Sequence, residues 1–291
     1  MPHFKKVVHI SNPFILTMLS FVFLFGCSST LKMNSAWEKQ TTQIDGHQDD
    51  WDGKLTFIEK KNVSIGVRND HDFLYICLVS GDNVLQRQML SMGFILWLDA
   101  DGGKDKTFGI RFPIGMFGSG MFKPRNRRSE GTPEEIRDRF AQQTELEILG
   151  PKKDESKRFA INEAPGIEVK TDKPGDVLVY EIKVPLKQTK TYPYAVGIGE
   201  GTKVGVGFET VKLDFEKLRA ERGRGGRPGG GFGGGRGGGR GGFGGGGRGR
   251  FGGRPSMPEQ FKLWISVQLG ADSNGAALIQ EQNQSVSLSN N

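Results

Sequence analysis

The sequence predicts an all-β fold, an antiparallel β-sandwich, and three observations support this prediction. Short runs rich in apolar and β-branched residues recur along the chain and are bounded by turn residues. Three pairs of these runs are typical of hairpins, with the turns NDHD, DADGGKDK and DKPGD. No helical segments alternate with the runs, as they would in a parallel α/β fold. The pattern therefore favours two antiparallel sheets packed face to face, of the jelly-roll type.

Five segments supply the predicted strands. The first hairpin is VSIGVRNDHDFLYICLVS (63–80), and its second run is apolar or aromatic at every position from Phe73 to Val79. Because such a strand is buried on both faces, we expect it at the centre of the sandwich, with Cys77 as a small buried residue. The other strands are expected in GFILWLDADGGKDKTFGIRFP (93–113), GIEVKTDKPGDVLVYEIKVPL (166–186), TKVGVGFETV (202–211) and EQFKLWISVQL (259–269).

A helical excursion, residues 116–150, interrupts the predicted sandwich. It contains TPEEIRDRFAQQTELEIL, in which Pro133 follows Thr132 and acidic residues fill the first turn. A capping threonine followed by proline is typical of a helix start, so the pattern predicts a helix from 132 to 149.

A second interruption, residues 222–257, is rich in glycine and arginine and predicts a disordered loop. The entropic cost of closing a loop grows only with the logarithm of its length, so a sandwich tolerates this insertion. The sandwich is placed at residues 44–270, and residues 271–291 are expected to form a poorly ordered tail.

The first 26 residues have the pattern of a secretory leader. Two lysines precede an apolar run from Phe14 to Phe25, which is shorter than the roughly 20 residues that span a bilayer. The sequence LFGC that follows resembles the lipobox of bacterial lipoproteins, in which the cysteine is lipidated. We therefore expect residues 1–26 to be removed, Cys27 to carry lipid and residues 27–43 to form a tether. This predicts attachment to the bacterial cell envelope. Ser28 and Ser29 resemble the enteric signal for sorting to the outer membrane, which is the expected location, and the inner membrane is the alternative.

The basic charge of the chain has a local origin. The formal net charge is +7, and the stretch 222–254 alone carries eight arginines and no acidic residue. Arg-Gly segments of this kind bind RNA, but the leader removes the chain from the cytosol, so nucleic acid is not an expected partner. A flexible surface loop is one interpretation. The alternative is that residues such as Arg236, Arg240, Arg248 and Arg250 contact anionic lipid or acidic envelope polymers.

Four segments in this order, IDGHQDDW, DHDFLYICLVSGD, FILWLDADGG and LVYEIKVPL, resemble family 9 carbohydrate-binding modules and the wider DOMON-like β-sandwiches. The resemblance covers about residues 44–269 apart from the two interruptions. It implies non-catalytic binding of a sugar or another small ligand, often beside calcium. In sugar-binding members aromatic rings sandwich the saccharide, which makes Trp51, Trp97 and Trp264 the ligand-binding candidates. The alternative for Trp97 and Trp264, which lie in apolar strands, is a place in the core.

The turn DADGGKDK brings Asp99, Asp101 and Asp105 close together in sequence, and carboxylates at such spacing can converge on calcium. The twelve-residue calcium-loop pattern is not met, so a polar hairpin turn is the alternative interpretation.

No nucleophile elbow, phosphate loop or paired-histidine metal motif occurs in the sequence, and we predict that the chain is not an enzyme. The functional hypothesis is an envelope lipoprotein that binds a glycan. The rival hypothesis is an assembly factor of the envelope that binds protein partners.

Overall fold

The computed structural model describes residues 30–39, 41–116, 132–150, 155–198, 203–212 and 259–272. The chain divides into two units, residues 1–31 and 32–291, and the architecture below belongs to the second. Thirteen strands are found in the described ranges: β1 (Leu31–Asn34), β2 (Ala36–Trp37), β3 (Thr56–Ile58), β4 (Val63–Asn69), β5 (Phe73–Ser80), β6 (Phe94–Asp99), β7 (Phe108–Arg111), β8 (Glu145–Leu149), β9 (Ser156–Ala160), β10 (Glu168–Asp172), β11 (Leu178–Pro185), β12 (Lys203–Thr210) and β13 (Lys262–Gln268). Two helices accompany them, α1 (Asn83–Met92) and α2 (Pro133–Ala141).

The strands form two sheets, which confirms the predicted all-β sandwich. Sheet I has the order β1-β13-β12-β6-β7-β8-β9, and sheet II has the order β10-β11-β5-β4-β2, with β3 paired to β4. The three predicted hairpins are present as β4–β5, β6–β7 and β10–β11, all antiparallel. Strand β5 lies between β11 and β4, and Cys77 within it is fully buried, as the apolar pattern predicted.

The core lies between the sheets and is built from alternate residues of each strand. Val204, Val206 and Phe208 point inward from β12, and none of them is exposed to solvent. The two sheets meet in aromatic contacts such as that of Phe94 with Tyr180, whose ring centroids are 5.4 Å apart. The residues between these inward positions therefore form the outer face of each sheet.

Helix α1 was not predicted from the sequence. Its N-cap is Asp82, whose side chain accepts a hydrogen bond from the backbone N–H of Val84 at 2.7 Å. Leu85, Met89 and Leu90 face the core from one side of the helix. The spacing of these three residues is the sequence signal that was available.

Two predicted boundaries are wrong. Helix α2 ends at Ala141 rather than 149, because Leu146 and Ile148 alternate inward as a strand and β8 pairs with β7. The segment predicted as a tether contains strands, since β1 neighbours β13 in sheet I and β2 pairs with β4 in parallel. Both segments are short and polar on one face, so neighbouring strands rather than local sequence give them their structure.

In the described parts of the chain, no helix has the length and apolar character needed to cross a membrane.

Candidate functional site

A row of tryptophans and glycines crosses the outer face of sheet I. In the strand register, Trp264 of β13 lies opposite Gly207 of β12, which lies opposite Trp97 of β6, which lies opposite Gly109 of β7. Both indole side chains are partly exposed, whereas their strand neighbours Leu96, Leu98 and Ile265 are fully buried. We call these four residues the tryptophan row. The alternative that Trp97 and Trp264 belong to the core is therefore wrong: they point away from it.

The two indole rings lie flat against the glycines beside them. A Cβ placed on Gly207 would lie 2.6 Å from two ring carbons of Trp264, and one placed on Gly109 would lie 2.6 Å from Cε3 of Trp97. Both rings therefore lean in the same direction across the sheet. Since neighbouring strands are about 4.8 Å apart and one strand separates the two tryptophans, their Cα atoms are about 10 Å apart. The result is a flat aromatic surface rather than a slot between two rings.

Polar groups hold Trp97 in this position. Its Nε1–H donates to Oε1 of Glu209 at 3.0 Å, and Glu209 also accepts from the Lys106 ammonium at 2.6 and 2.7 Å. The Lys106 Nζ atom lies 5.5 Å from the centroid of the Trp97 ring. The edge of the indole ring is thus fixed by a buried carboxylate, and an amine that can donate hydrogen bonds lies over the ring.

A second row of residues runs alongside the tryptophan row. It lies two positions away along the same four strands and continues onto β8 and β9, and its residues are Lys262, Glu209, Ile95, Arg111, Glu147 and Arg158. Because each strand advances about 3.3 Å per residue, the two rows are about 7 Å apart. We call the five ionisable members, together with Lys106, which pairs with Glu209, the charged row. Arg111 and Arg158 both pair with Glu147, at 3.3 and 3.5 Å.

Replacing Gly207 with alanine is expected to displace the ring of Trp264. The new methyl group would lie within van der Waals overlap of the ring, so we expect a loss of about 1–3 kcal/mol in the free energy of unfolding and a shift in tryptophan fluorescence. Gly81→Ala is the matched control, because a Cβ on Gly81 meets no atom within 4 Å. Equal stability and equal emission spectra for the two variants would contradict the flat packing of the ring.

Trp51, the third ligand-binding candidate, is completely buried. Its ring packs on Gly66 of β4 on one side, and the Arg68 guanidinium lies 4.4 Å from the ring centroid. Its Nε1–H donates to Oε1 of Glu181 at 2.6 Å. Because the ring is enclosed, it has no surface on which a ligand could stack in this structure. The residue instead seals the outer face of sheet II, packing with Tyr75, Cys77, Val79 and Val179.

Glu181 explains the geometry of the IDGHQDDW segment. Besides Trp51, it accepts the backbone N–H groups of Asp45 and Gly46, at 3.1 and 2.6 Å. Burial raises the pKa of Glu181, and the hydrogen bonds from Trp51 and Gly46 oppose this rise. Gly46 has a φ of 85°, and an added Cβ would lie 2.9 Å from that of Asp172, so only glycine fits here. The motif is thus structural, a loop fastened to a buried carboxylate.

The three aspartates of the DADGGKDK turn have the arrangement of a hydrogen-bonded turn. Asp99 is buried, and its two carboxylate oxygens accept the backbone N–H groups of Asp101 and Asp105, at 3.0 and 2.8 Å. Among the described residues, no group of three or more Asp, Glu, His or Cys side chains could hold a metal ion. Calcium binding at this turn stays a prediction.

A cavity of about 420 Å³ opens beside the β4–β5 turn. It is lined by Trp37, Glu38, Lys39, Asp70, His71, Asp72 and Asp272. The Asp70 carboxylate accepts hydrogen bonds from the backbone N–H groups of Asp72 and Phe73 and from the Tyr75 hydroxyl, at 2.7 to 2.8 Å. His71 packs edge-on against Trp37 with centroids 4.7 Å apart. These contacts hold the β4–β5 turn in place, and we assign no ligand to the cavity.

Several predicted sites lie outside the described residues. Cys27 and the arginines Arg236, Arg240, Arg248 and Arg250 belong to this group. Lipidation and polyanion contacts therefore stay predictions.

The alternation of the strand sequences carries a signal for one part of the tryptophan row, the outward glycines of β12. In KVGVGFET the valines and the phenylalanine occupy one face and the glycines the other. Glycines at outward positions of a central strand indicate that a large group lies flat on that face. The register that places Trp97 and Trp264 on either side of Gly207 is not readable from the sequence, because it joins strands far apart in the chain.

A two-sheet β-sandwich with an aromatic surface on one outer face is thus the class of protein that the fold and site define. No family model and no curated protein matches this chain. Among solved structures it is similar to a carbohydrate-binding module of family 9 from Caldicellulosiruptor kristjanssonii in complex with glucose, at 13% identity and a TM-score of 0.31, over 65% of this chain and 81% of that one. The same module in complex with cellotriose gives 12% identity and a TM-score of 0.30, over 64% of this chain and 79% of that one. The likeness is distant, and the function proposed below rests on the residues of this chain.

Proposed function

We propose that this chain is a non-catalytic glycan-binding protein and that the tryptophan row is its binding surface. The observation that carries the proposal is the pair of partly exposed indoles held flat on the outer face of sheet I. The C–H-rich face of a sugar ring is apolar and packs on an aromatic ring, while hydroxyls at its edge need polar partners. Lys106, beside Trp97, is placed to act as such a partner.

The geometry favours an extended glycan that crosses the strands. The two tryptophans lie in one cross-strand row about 10 Å apart, so a chain that stacks on both must run perpendicular to the strands. Gly207 has no side chain and the ring of Trp264 lies flat over it, so no side chain of the row stands up between the two indoles. A flat surface of this kind suits the interior of a chain, whereas a slot between two rings suits its end.

The proposal includes attachment to the cell envelope. Its support is the leader, with its two lysines, the apolar run 14–25 and the lipobox-like LFGC ending at Cys27. Acyl chains on Cys27 would hold the sandwich close to a membrane, with about 0.8 kcal/mol for each buried methylene. Intact-mass measurement of the membrane fraction tests this: an acylated Cys27 at the mature N-terminus is expected, and a retained Met1 would contradict it.

A glycan array probed with the detergent-solubilised full chain tests the binding function. We expect binding to extended oligosaccharides, increasing with chain length until both tryptophans are covered, and little binding to monosaccharides. Calorimetry with the best oligosaccharide then gives the affinity. A folded sample that binds no glycan on the array would contradict the proposal and favour the rival role as an assembly factor.

A further inference from the structure

The charged row presents cations to solvent and keeps its carboxylates buried. Glu209 and Glu147 are 7% and 9% exposed, and each lies under basic partners, Lys106 for the first and Arg111 with Arg158 for the second. The side chains of Lys106 and Arg158 are 43% and 44% exposed. Lys262, at one end of the row, is exposed as well. Along the charged row a ligand therefore meets ammonium and guanidinium groups before the carboxylates of Glu209 and Glu147, while the exposed Glu145 lies two positions farther along β8, away from the tryptophan row.

The position of these cations relative to the tryptophans is regular. Because the charged row runs parallel to the tryptophan row about 7 Å away, substituents along one edge of a bound glycan would point toward it. Lys262 lies beside Trp264 on the same strand, and Lys106 lies beside Trp97. Arg158 extends the row toward the β9 edge of sheet I. The cations are spread along the path of the glycan rather than gathered at one point.

We propose that the ligand of this face is an acidic polysaccharide, one that carries a carboxylate or sulfate group on successive sugars. This inference rests on the proposed function, because it concerns the same surface. Charged hydrogen bonds from lysine and arginine to an anionic oxygen are stronger than those to a neutral hydroxyl, and arginine can grip a carboxylate with two parallel bonds. The anionic groups would pair with the exposed cations of the charged row while the sugar rings stack on the indoles.

Two ligands with the same backbone test the inference. We compare oligomers of β-1,4-linked glucuronate and of β-1,4-linked glucose of equal length. Each sugar carries a carboxylate in the first and a hydroxymethyl group in the second. We expect the full chain in detergent to bind the glucuronate oligomer about tenfold more tightly than the glucose oligomer at low salt, because a few exposed charge pairs together contribute about that much. This difference in affinity should shrink as salt is added. A sulfated glucose oligomer forms the third arm, and the tighter of the two anionic ligands identifies the preferred group.

Point variants test whether the charged row or the arginines of 222–254 cause the preference for the anionic oligomer. Combining Lys262→Gln with Arg158→Gln is expected to remove most of the preference for the anionic oligomer while binding of the neutral one is retained. The matched control is Lys170→Gln, an exposed lysine on β10 of sheet II, which should leave the preference intact.

Three results would be informative in different ways. Equal affinity of the wild-type chain for the two oligomers would overturn the inference and leave glycan binding standing. A preference that survives Lys262→Gln with Arg158→Gln would overturn the assignment to the charged row and point to the arginine-rich stretch. Failure to bind any of the three oligomers would overturn the inference, whereas failure to bind any glycan on the array would overturn the proposed function itself.

Discussion

Replacing Trp97 or Trp264 with alanine is expected to weaken glycan binding by about 30-fold for each variant, and the double variant should show no measurable binding. Each indole offers a stacking face that no neighbouring side chain can replace, because the residues beside it in the row are glycines. Aromatic anchors that become covered when the ligand binds contribute about 2 kcal/mol or more to binding, which corresponds to this factor. Calorimetric titration with the best oligosaccharide from the array measures the effect.

The control for these variants is Phe57→Ala. Phe57 lies on β3 of sheet II and is 60% exposed, so it is an exposed aromatic side chain that lies away from the tryptophan row. Its removal should leave the affinity unchanged. An affinity of the double Trp97 and Trp264 variant within threefold of wild type would refute the assignment of the binding surface.

Trp51→Ala is expected to lower the free energy of unfolding by about 3–5 kcal/mol, the largest stability effect we predict. The substitution empties a completely buried site over Gly66 and removes the N–H that pairs with Glu181. The carboxylate of Glu181 then loses one of its donors while it stays buried, which adds to the cost of the cavity. Denaturant unfolding followed by circular dichroism measures the change.

Trp51→Phe separates the two contributions. It keeps most of the packing but lacks the indole N–H, so we expect an intermediate loss of about 1–3 kcal/mol. Neither variant should change the affinity for a glycan at temperatures where the protein is folded, since Trp51 belongs to the outer layer of sheet II. Unfolding free energies within 1 kcal/mol of wild type for Trp51→Ala would contradict the sealing role.

The strands were predictable where their pattern is local. The run 73–79 is apolar on both faces, and the structure places it at the centre of sheet II with Trp51 covering the outer side. The hairpins followed from turn residues, since short antiparallel connections are encoded by the few residues between the strands. The sequence predicts helix where strand β8 lies, because TELEIL is so short that it fits both the helical and the strand period. Only the pairing with β7 decides between them.

The candidate site was predictable in its residues but not in its arrangement. Trp97 and Trp264 were identified as ligand-binding candidates together with Trp51, yet nothing in the local sequence separates the two outward indoles from the buried one. An isolated tryptophan in an apolar strand can point toward the core or toward the outer face of the sheet, and strand register decides which. The hydrogen bond from Trp97 to Glu209 joins residues 112 positions apart in the chain.

By itself, the sequence determined that this chain folds as a β-sandwich, that its strands pair in hairpins, and that glycine and arginine concentrate in one stretch. Periodicity and turn chemistry act between residues close together in the chain, so they can be read from it directly. Only the tertiary structure decided that β13, β12 and β6 lie side by side, which aligns two tryptophans on either side of a glycine and sets a row of exposed cations beside them. Those alignments come from burying one face of every strand in a common core, and the opposite face is what remains for a ligand.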